Sequence, residues 1–282
     1  MTSETKFTRR RALRAGLLAA LAVGACTVAA PAGAALPTVD MEAVLKAAQI
    51  DPRRADTAIT PGSGESVLLV EQALAAKGML AAQYVDGHFG TSTVAAYADY
   101  QKSLGYTGLD ASGFPGPTSL QKLGTERYTV THLVSAGSRV SYRGVTVNTR
   151  TKAMLTAAEG LLGRQLSLTQ GSYNAGGVSG SAGTHDGGGA LDISVSGMST
   201  DTRTAVLKAL RTVGFAAWLR TPDQADWGYH IHAIALADPD LSTEAQHQAG
   251  DYYLGYNGLA GRGPDDGPKV TPIRTWEEYQ RG

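Results

Sequence analysis

The chain has 282 residues, a formal net charge of zero from 25 basic and 25 acidic residues, and a single cysteine. A hydrophobic content of 43% with 18% charged residues indicates a globular protein and argues against intrinsic disorder. The zero net charge argues against a nucleic-acid partner, and one cysteine excludes both a disulfide framework and a cysteine-based metal site.

Residues 1–35 have the pattern of an export signal. The basic segment TRRRALR at 8–14 precedes a short apolar run at 15–25 that is too short to span a bilayer. The paired arginines resemble a twin-arginine signal, but Ala12 stands where that pattern prefers Phe, so the ordinary Sec route stays open. We therefore predict secretion to the cell wall, with no transmembrane segment in the mature chain.

The export signal contains two candidate processing sites. The A-G-A triplet at 32–34 fits signal-peptidase cleavage and predicts a soluble secreted protein, which is the interpretation we favour. The sequence V-G-A-C resembles a lipobox, which would make Cys26 a lipid anchor. Removing residues 1–35 takes away five basic residues and one acidic residue. The mature chain then has 20 basic and 24 acidic residues, for a net charge of −4.

The mature chain begins with a lead-in linker at 36–62, which contains one predicted short helix at about 41–49. Three predicted helices follow at 63–124. Val67, Val70 and Leu74 recur at helical spacing in the first helix. A glycine-containing loop precedes the second helix, and a Gly/Pro-rich turn opens a short third one. This segment is predicted to be entirely α-helical.

The motif order in residues 63–124 resembles the peptidoglycan-binding domain with a three-helix fold. The motifs are V-x-x-x-x-Q-x-L, D-G-x-F-G-x-x-T, Y-Q-K-S-L-G-Y and G-P-T-S-L-Q-K-L, with Phe89, Gly90 and Thr93 at the F-G-x-x-T positions. The second loop, G-L-D-A-S-G-F-P-G, departs from the family's tighter turn. The resemblance implies that peptidoglycan is the partner, but it identifies no individual contact residue.

Residues 128–258 alternate between strand and helix patterns, with predicted helices at 149–162, 200–213 and 244–254. This order predicts an α+β domain with an antiparallel sheet, followed by an extended tail at 259–282. Altogether we predict a multidomain protein, in which an all-α three-helix peptidoglycan-binding domain precedes this α+β domain. We expect it to be a monomer.

Two short motifs in this region carry candidate metal ligands. His185 lies in a glycine-rich loop, seven residues before Asp192, which occupies a predicted strand with apolar neighbours. A carboxylate in such a strand needs a partner, and a cation is the obvious one. Further on, His230 and His232 lie on one side of a strand, about 7 Å apart. Two histidines and one aspartate, with a position left for water, have the composition of a catalytic zinc site.

The segment T-H-D-G-G-G-A-L-D-I-S with the distal H-I-H resembles the metallopeptidase superfamily of lysostaphin, D-alanyl-D-alanine metallopeptidases and hedgehog. It is most similar to the zinc D-alanyl-D-alanine carboxypeptidase branch. The resemblance implies that His185, Asp192 and His232 bind Zn²⁺. It also implies that His230 does not bind the metal but orients water or stabilises the oxyanion.

Two positions depart from that branch. Tyr229 stands where many members have the glutamate that acts as general base, which leaves His230 or Asp226 for this role. The upstream Y-R-S segment, whose arginine grips substrate in the family, here reads Y-N-A from Tyr173. The residues that bind substrate are therefore not identified by the sequence.

These patterns support one leading hypothesis and two weaker ones. The leading hypothesis is a secreted zinc metallopeptidase that hydrolyses peptidoglycan stem or cross-link peptides, as a D-Ala-D-Ala carboxypeptidase or an endopeptidase. The main alternative is a catalytically silent peptidoglycan-binding wall protein that retains the peptidase fold. A glycan-cleaving hydrolase is less well supported, because no acidic pair occurs in a suitable setting.

Overall fold

The computed structural model describes residues 35–282, so that the predicted export signal, apart from Ala35, and the candidate anchor Cys26 lie outside it. The α-helices of the described residues are α1 (Met41–Ile50), α2 (Gly64–Ala76), α3 (Thr91–Ser103), α4 (Pro117–Leu123), α5 (Thr149–Leu162), α6 (Thr200–Thr212), α7 (Thr243–Tyr253) and α8 (Trp276–Arg281). The strands are β1 (Thr38–Asp40), β2 (Thr129–Thr131), β3 (Arg139–Tyr142), β4 (Val145–Asn148), β5 (Leu168–Gln170), β6 (Ala190–Ser194), β7 (Phe215–Arg220) and β8 (His230–Ala235). Among the helices of residues 35–282, none combines the length and hydrophobicity that a membrane crossing requires.

The central element is a four-stranded antiparallel sheet with strand order β5-β6-β8-β7. Alternate residues of each strand face opposite sides of this sheet. On one side, Leu191, Ile193 and Ile231 belong to a buried core with residues of α5 and α6. The opposite side holds the polar residues described below. The predicted antiparallel sheet is therefore confirmed.

The flanking helices begin and end at residues suited to those positions. The side chain of Asn148 accepts a hydrogen bond from the Thr151 amide at the start of α5, and Gly163 ends that helix in the left-handed conformation. Ser199 and Ser242 cap α6 and α7 in the same way. Because these caps satisfy backbone groups locally, each helix can place its apolar side on the sheet without leaving amides unpaired.

Buried polar side chains hold together the loops between α2, α3 and α4. The Glu71 carboxylate accepts hydrogen bonds from the amides of Asp86 and Gly87 and from the Thr93 hydroxyl. Burial raises the pKa of this carboxyl to about 7. The Gln101 side chain in turn holds the loop that leads to α4, by bonds to the backbone of residues 113 and 114. Several residues of the peptidoglycan-binding motifs therefore have a structural role in this chain.

The prediction of a separate all-α domain is wrong, because residues 36–282 form one compact α+β unit. The reason is α1, which lies in the segment predicted as a linker and packs between α2 and α7. A single hydrophobic core joins all three predicted regions. It includes Leu45, Val70, Tyr97, Tyr128, Val134 and Ala237. Strand β1, from the same lead-in, pairs in parallel with β2, so the segments before and after the helical region lie side by side.

Polar contacts reinforce this connection between α1 and α7. Arg53, in the turn after α1, makes two hydrogen bonds of 3.0 and 2.9 Å to the Asp251 carboxylate. The Gln49 side-chain oxygen accepts a bond from the Ala237 amide. Gly250 has no side chain where α7 crosses α1, and a Cβ atom at this position would overlap the carbonyl oxygen of Gln49. A glycine is therefore required for the two helices to approach so closely.

We predicted an extended conformation for the C-terminal segment 259–282. This prediction is wrong for its last residues, which form α8. Two buried arginines explain why this segment lies on the sheet domain. Arg211 forms a bidentate pair with Asp265, and Arg150 forms one with Glu277 at distances of 2.8 and 2.7 Å. Burying a guanidinium requires such a partner, so these arginines need the tail to be in place.

Replacing Leu45 by alanine should destabilise the whole described unit, since Leu45 is fully buried in the core shared by the helices and residues 128–258. We expect the free energy of unfolding to fall by about 2 to 5 kcal/mol, with a single cooperative transition retained. Denaturant unfolding followed by far-UV circular dichroism and by tryptophan fluorescence measures this. Leu36→Ala, at a residue 44% exposed, is the matched control and should change little. Two separate transitions in the wild type would contradict a single unit.

Candidate metal centre

The polar face of the sheet carries two rows of residues that are paired across strands. In one row, Asp192 of β6 lies opposite His232 of β8, which lies opposite Trp218 of β7. In the adjacent row, Ser194, His230 and Arg220 are paired in the same order. Since neighbouring strands are about 5 Å apart, side chains within one row can touch. The antiparallel register therefore brings together residues that are 40 positions apart in the chain.

The three predicted ligand residues meet at one point on this face. The Nδ1 atom of His232 lies 2.8 Å from Oδ1 of Asp192, and Nε2 of His185 lies 3.3 Å from each of these two atoms. His185 is fully buried and His232 is 5% exposed. Two imidazole nitrogens and a carboxylate oxygen at these distances can hold a metal ion. The sequence-based prediction that these residues form one group is confirmed.

The loop before β6 brings His185 to the sheet by unusually close backbone packing. A Cβ atom on Gly187 would overlap the Asp240 carbonyl, and one on Gly188 would approach the Tyr173 hydroxyl. Two backbone hydrogen bonds also hold the loop. The Tyr173 amide donates to the Gly187 carbonyl, and the Asn174 amide donates to the His185 carbonyl. Glycine is needed at positions 187 and 188 because a side chain there would overlap the segments that pack against the loop.

Hydrogen bonds at the far side of each imidazole orient the rings. Nδ1 of His185 donates to the Gly171 carbonyl at 2.7 Å, and Nδ1 of His230 donates to that of Gly228 at 2.8 Å. The remaining nitrogen of each ring, Nε2, faces Asp192, at 3.8 Å from Oδ1 in the case of His230. His232 differs because its Nε2 lies 2.8 Å from the side-chain amide of Gln248. Such outer hydrogen bonds are the usual support of metal-binding histidines.

The protonation states of the group suit metal binding. Although burial opposes ionisation, the neighbouring imidazoles of His185 and His232 hold the pKa of Asp192 well below its usual range. Burial lowers the pKa of His232 to about 4, against the opposing effect of Asp192. At neutral pH the carboxyl is therefore charged and the imidazole is neutral. These are the forms in which both side chains bind metals.

The group lies in a cleft with a volume of about 980 Å³. Arg220 lines this cleft and is 2% exposed, with Nη1 donating to the Asn257 carbonyl and Nη2 without a hydrogen-bond partner among the described residues. Burial lowers the pKa of Arg220 to about 10, so it remains charged at neutral pH. Gln170, opposite Asp192 on β5, also has a buried side-chain nitrogen that finds no hydrogen-bond partner within residues 35–282.

Not every predicted residue joins the group. His230 does, since its free nitrogen faces Asp192 from the next row. Asp226 lines the rim of the cleft but is exposed, and among the described residues its carboxylate has no hydrogen-bond partner. Tyr229 is 52% exposed at the same rim. The geometry favours His230 over Asp226 as the group nearest to the candidate metal ligands.

Two residues of the cleft were not predicted from the sequence. Arg220 had a detectable signal, because a charged residue that ends the otherwise apolar strand F-A-A-W-L-R needs a partner or a ligand. Gln248 had none, since it lies 16 residues after His232 in an ordinary amphipathic helix. Only the packing of α7 over the polar face of the sheet brings its amide to the imidazole.

Comparisons of the chain with protein-family models, with curated protein sequences and with solved structures gave no match. The geometry of the cleft and the sequence motifs are therefore the basis for the function proposed below.

Replacing His185 by alanine should abolish tight metal binding, because it removes one of three donor atoms. We expect the wild type to bind one Zn²⁺ or Co²⁺ per chain. The variant should bind more than about 100-fold more weakly, since loss of an outer-shell bond alone costs 10- to 100-fold. Isothermal titration calorimetry of chelator-treated protein measures this. His247→Ala, at an exposed histidine of α7, is the matched control and should bind like the wild type. Equal affinities for all three proteins would refute the assignment.

Proposed function

We propose that the protein is a secreted zinc-dependent peptidase that hydrolyses stem or cross-link peptides of peptidoglycan. The observation that carries the proposal is the His185–Asp192–His232 group at the floor of a cleft large enough for a peptide. Enzyme sites are typically such clefts, with a few convergent polar groups. The motifs around these residues resemble those of D-alanyl-D-alanine metallopeptidases, which suggests the substrate class.

Zinc is the ion that best matches the donor atoms. Bonds of about 2.0–2.1 Å in a tetrahedral site separate the ligand atoms by about 3.3 Å. The two distances from His185 Nε2 are both 3.3 Å, and the third distance is shortened to 2.8 Å by the hydrogen bond between His232 and Asp192. Three protein ligands would leave one position for water or substrate, as in catalytic zinc sites.

In this proposal, bound zinc supplies a Lewis acid that polarises the scissile carbonyl and lowers the pKa of water towards about 7. His230 provides the proton transfer. Because its Nδ1 donates to the Gly228 carbonyl, its Nε2 has a free lone pair that faces the centre of the group. This nitrogen can take a proton from the attacking water and later donate it to the leaving amine. His230 would thus act as the general base, in place of the glutamate that many members of the similar branch have.

Arg220 is our candidate for substrate binding. It is a buried cation in the same cleft, and its unpaired Nη2 can donate to an anionic ligand. Leaving a buried guanidinium partly unpaired is unfavourable, and a carboxylate supplied by the substrate would remove that cost. Arg220 lies in the row of His230, next to the candidate metal ligands. This placement favours a peptide whose terminal carboxylate lies beside the scissile bond, as in a carboxypeptidase.

The helical region would serve to bind the wall polymer. Its support is the set of motifs in residues 63–124 that resemble peptidoglycan-binding domains. Since α1 joins this region and the sheet in one unit, wall binding would also hold the cleft in a defined orientation to the polymer. A high local concentration of substrate follows from such attachment without any new catalytic contact.

The proposed reaction is tested with soluble peptidoglycan fragments that end in D-Ala-D-Ala. We expect release of D-alanine by the wild type, loss of release in the presence of a chelator, and recovery when Zn²⁺ is added back. His185→Ala should be inactive and His247→Ala should be active. Mass spectrometry of the products identifies the bond that is broken. New reducing sugar ends would contradict the proposal, and binding to peptidoglycan without any hydrolysis would favour the catalytically silent wall protein.

Replacing Arg220 by glutamine should reduce kcat/KM for peptides with a free terminal carboxylate by about 10- to 100-fold, because a charge-assisted hydrogen bond is lost. Peptides with a terminal amide should be affected much less. Arg203→Gln removes the same charge next to Tyr229 at the cleft rim and is the matched control. An equal loss for acid and amide substrates would contradict carboxylate binding and would indicate a structural role for Arg220.

A further inference from the structure

The hydrogen bonds of His232 differ from those of the other two histidines at the centre. His185 and His230 are each fixed by a backbone carbonyl, which can only accept a hydrogen bond. Their proton must therefore be on Nδ1, whether or not a metal is bound. His232 is instead fixed by the side-chain amide of Gln248, which has both an acceptor oxygen and a donor nitrogen. The position of the proton on His232 can therefore change.

Without a metal, the surroundings of His232 require a proton on Nδ1. This atom lies 2.8 Å from the ionised Asp192 carboxylate and 3.3 Å from Nε2 of His185, and both of these partners are acceptors. With neutral His232, Nε2 then has a lone pair and needs a donor. The amide nitrogen of Gln248 can supply it when the amide is rotated by half a turn.

When a metal is bound, the requirement is reversed. Nδ1 must offer its lone pair to the metal, so the single proton of neutral His232 must be on Nε2. This proton needs an acceptor, and Oε1 of Gln248 lies 2.8 Å from Nε2. The number of protons on His232 is the same in both states, because one leaves Nδ1 for solvent and one joins Nε2. Both states of the buried imidazole are therefore fully hydrogen-bonded.

We propose that Gln248 is a positioning residue that, by rotation of its amide, satisfies both tautomers of His232 and so allows a metal ion to replace the proton between His185, Asp192 and His232. The inference rests on the metal centre of the proposed function and is independent of the reaction that is catalysed. It also explains why an amide suits this position better than a carboxylate, which could only accept. The helix that carries Gln248 is held in place by α1 through the Arg53–Asp251 pair, three residues further on.

The inference is tested by zinc titration together with nitrogen-15 NMR of the histidine rings. In the wild type, we expect His232 to have the Nδ1–H form without metal and the Nε2–H form with Zn²⁺. Gln248→Leu leaves the Nε2 proton of the metal-bound form without an acceptor, and should weaken zinc binding by about 10- to 100-fold. Gln248→Glu restores an acceptor and should bind zinc at least as tightly as the wild type.

Gln224→Leu is the matched control, since Gln224 lines the same cleft but bonds to the Thr221 amide instead of to a histidine. It should bind zinc with wild-type affinity. The inference is overturned if Gln248→Leu also binds zinc like the wild type, or if metal-free wild-type His232 already has the Nε2–H form. If the wild type binds no zinc, the metal centre and the proposed function fail together with this inference. Normal zinc binding by Gln248→Leu would overturn only the role of Gln248.

Discussion

The organisation of the cleft depends on one constraint, which is the ionised Asp192 carboxylate at a largely buried position of the sheet. A charge in this setting is stable only when hydrogen-bonded or paired. The hydrogen bond comes from His232 of β8 and a nearby positive charge from Arg220 of β7, while His185 of the glycine loop and His230 of β8 each direct an unprotonated nitrogen towards the carboxylate. Each of these side chains has one polar atom fixed by backbone or amide groups and another directed towards Asp192 or the cleft. The same arrangement that stabilises the carboxylate therefore creates a metal-binding group.

A second constraint is the way in which α1 joins the helical region to the sheet. Its core residues pack on α2 and α7, its Gln49 side chain bonds to Ala237, and Arg53 in the turn that follows it bonds to Asp251. Helix α7 in turn places Gln248 against His232, so a segment that has the composition of a linker influences the geometry of the candidate metal centre. If the helical region binds the cell wall as proposed, the cleft is held at a fixed position relative to that contact.

Local elements were predicted well, and their assembly was predicted poorly. The periodicity at 149–162 coincides with α5, and that at 200–213 ends one residue beyond α6, because each helix has apolar spacing and a capping residue of its own. The prediction of two domains was wrong because the hydrophobic periodicity of a short helix such as α1 is the same whether it packs on one neighbouring helix or on two. Burial of α1 on both α2 and α7 depends on long-range contacts that periodicity does not describe.

The sequence by itself determined which residues could bind a metal. A histidine in a glycine-rich loop, an aspartate in an apolar strand and an H-x-H pair are patterns that need each other, since none is stable alone in a buried sheet. Strand alternation also determined that His230 and His232 lie on one side of their strand. Only the tertiary structure decided the order β5-β6-β8-β7, which sets Asp192 opposite His232 and brings Arg220 and Gln248 to the cleft. Strand order, register and helix crossing arise from the packing of distant segments, and no local pattern of residue types specifies them.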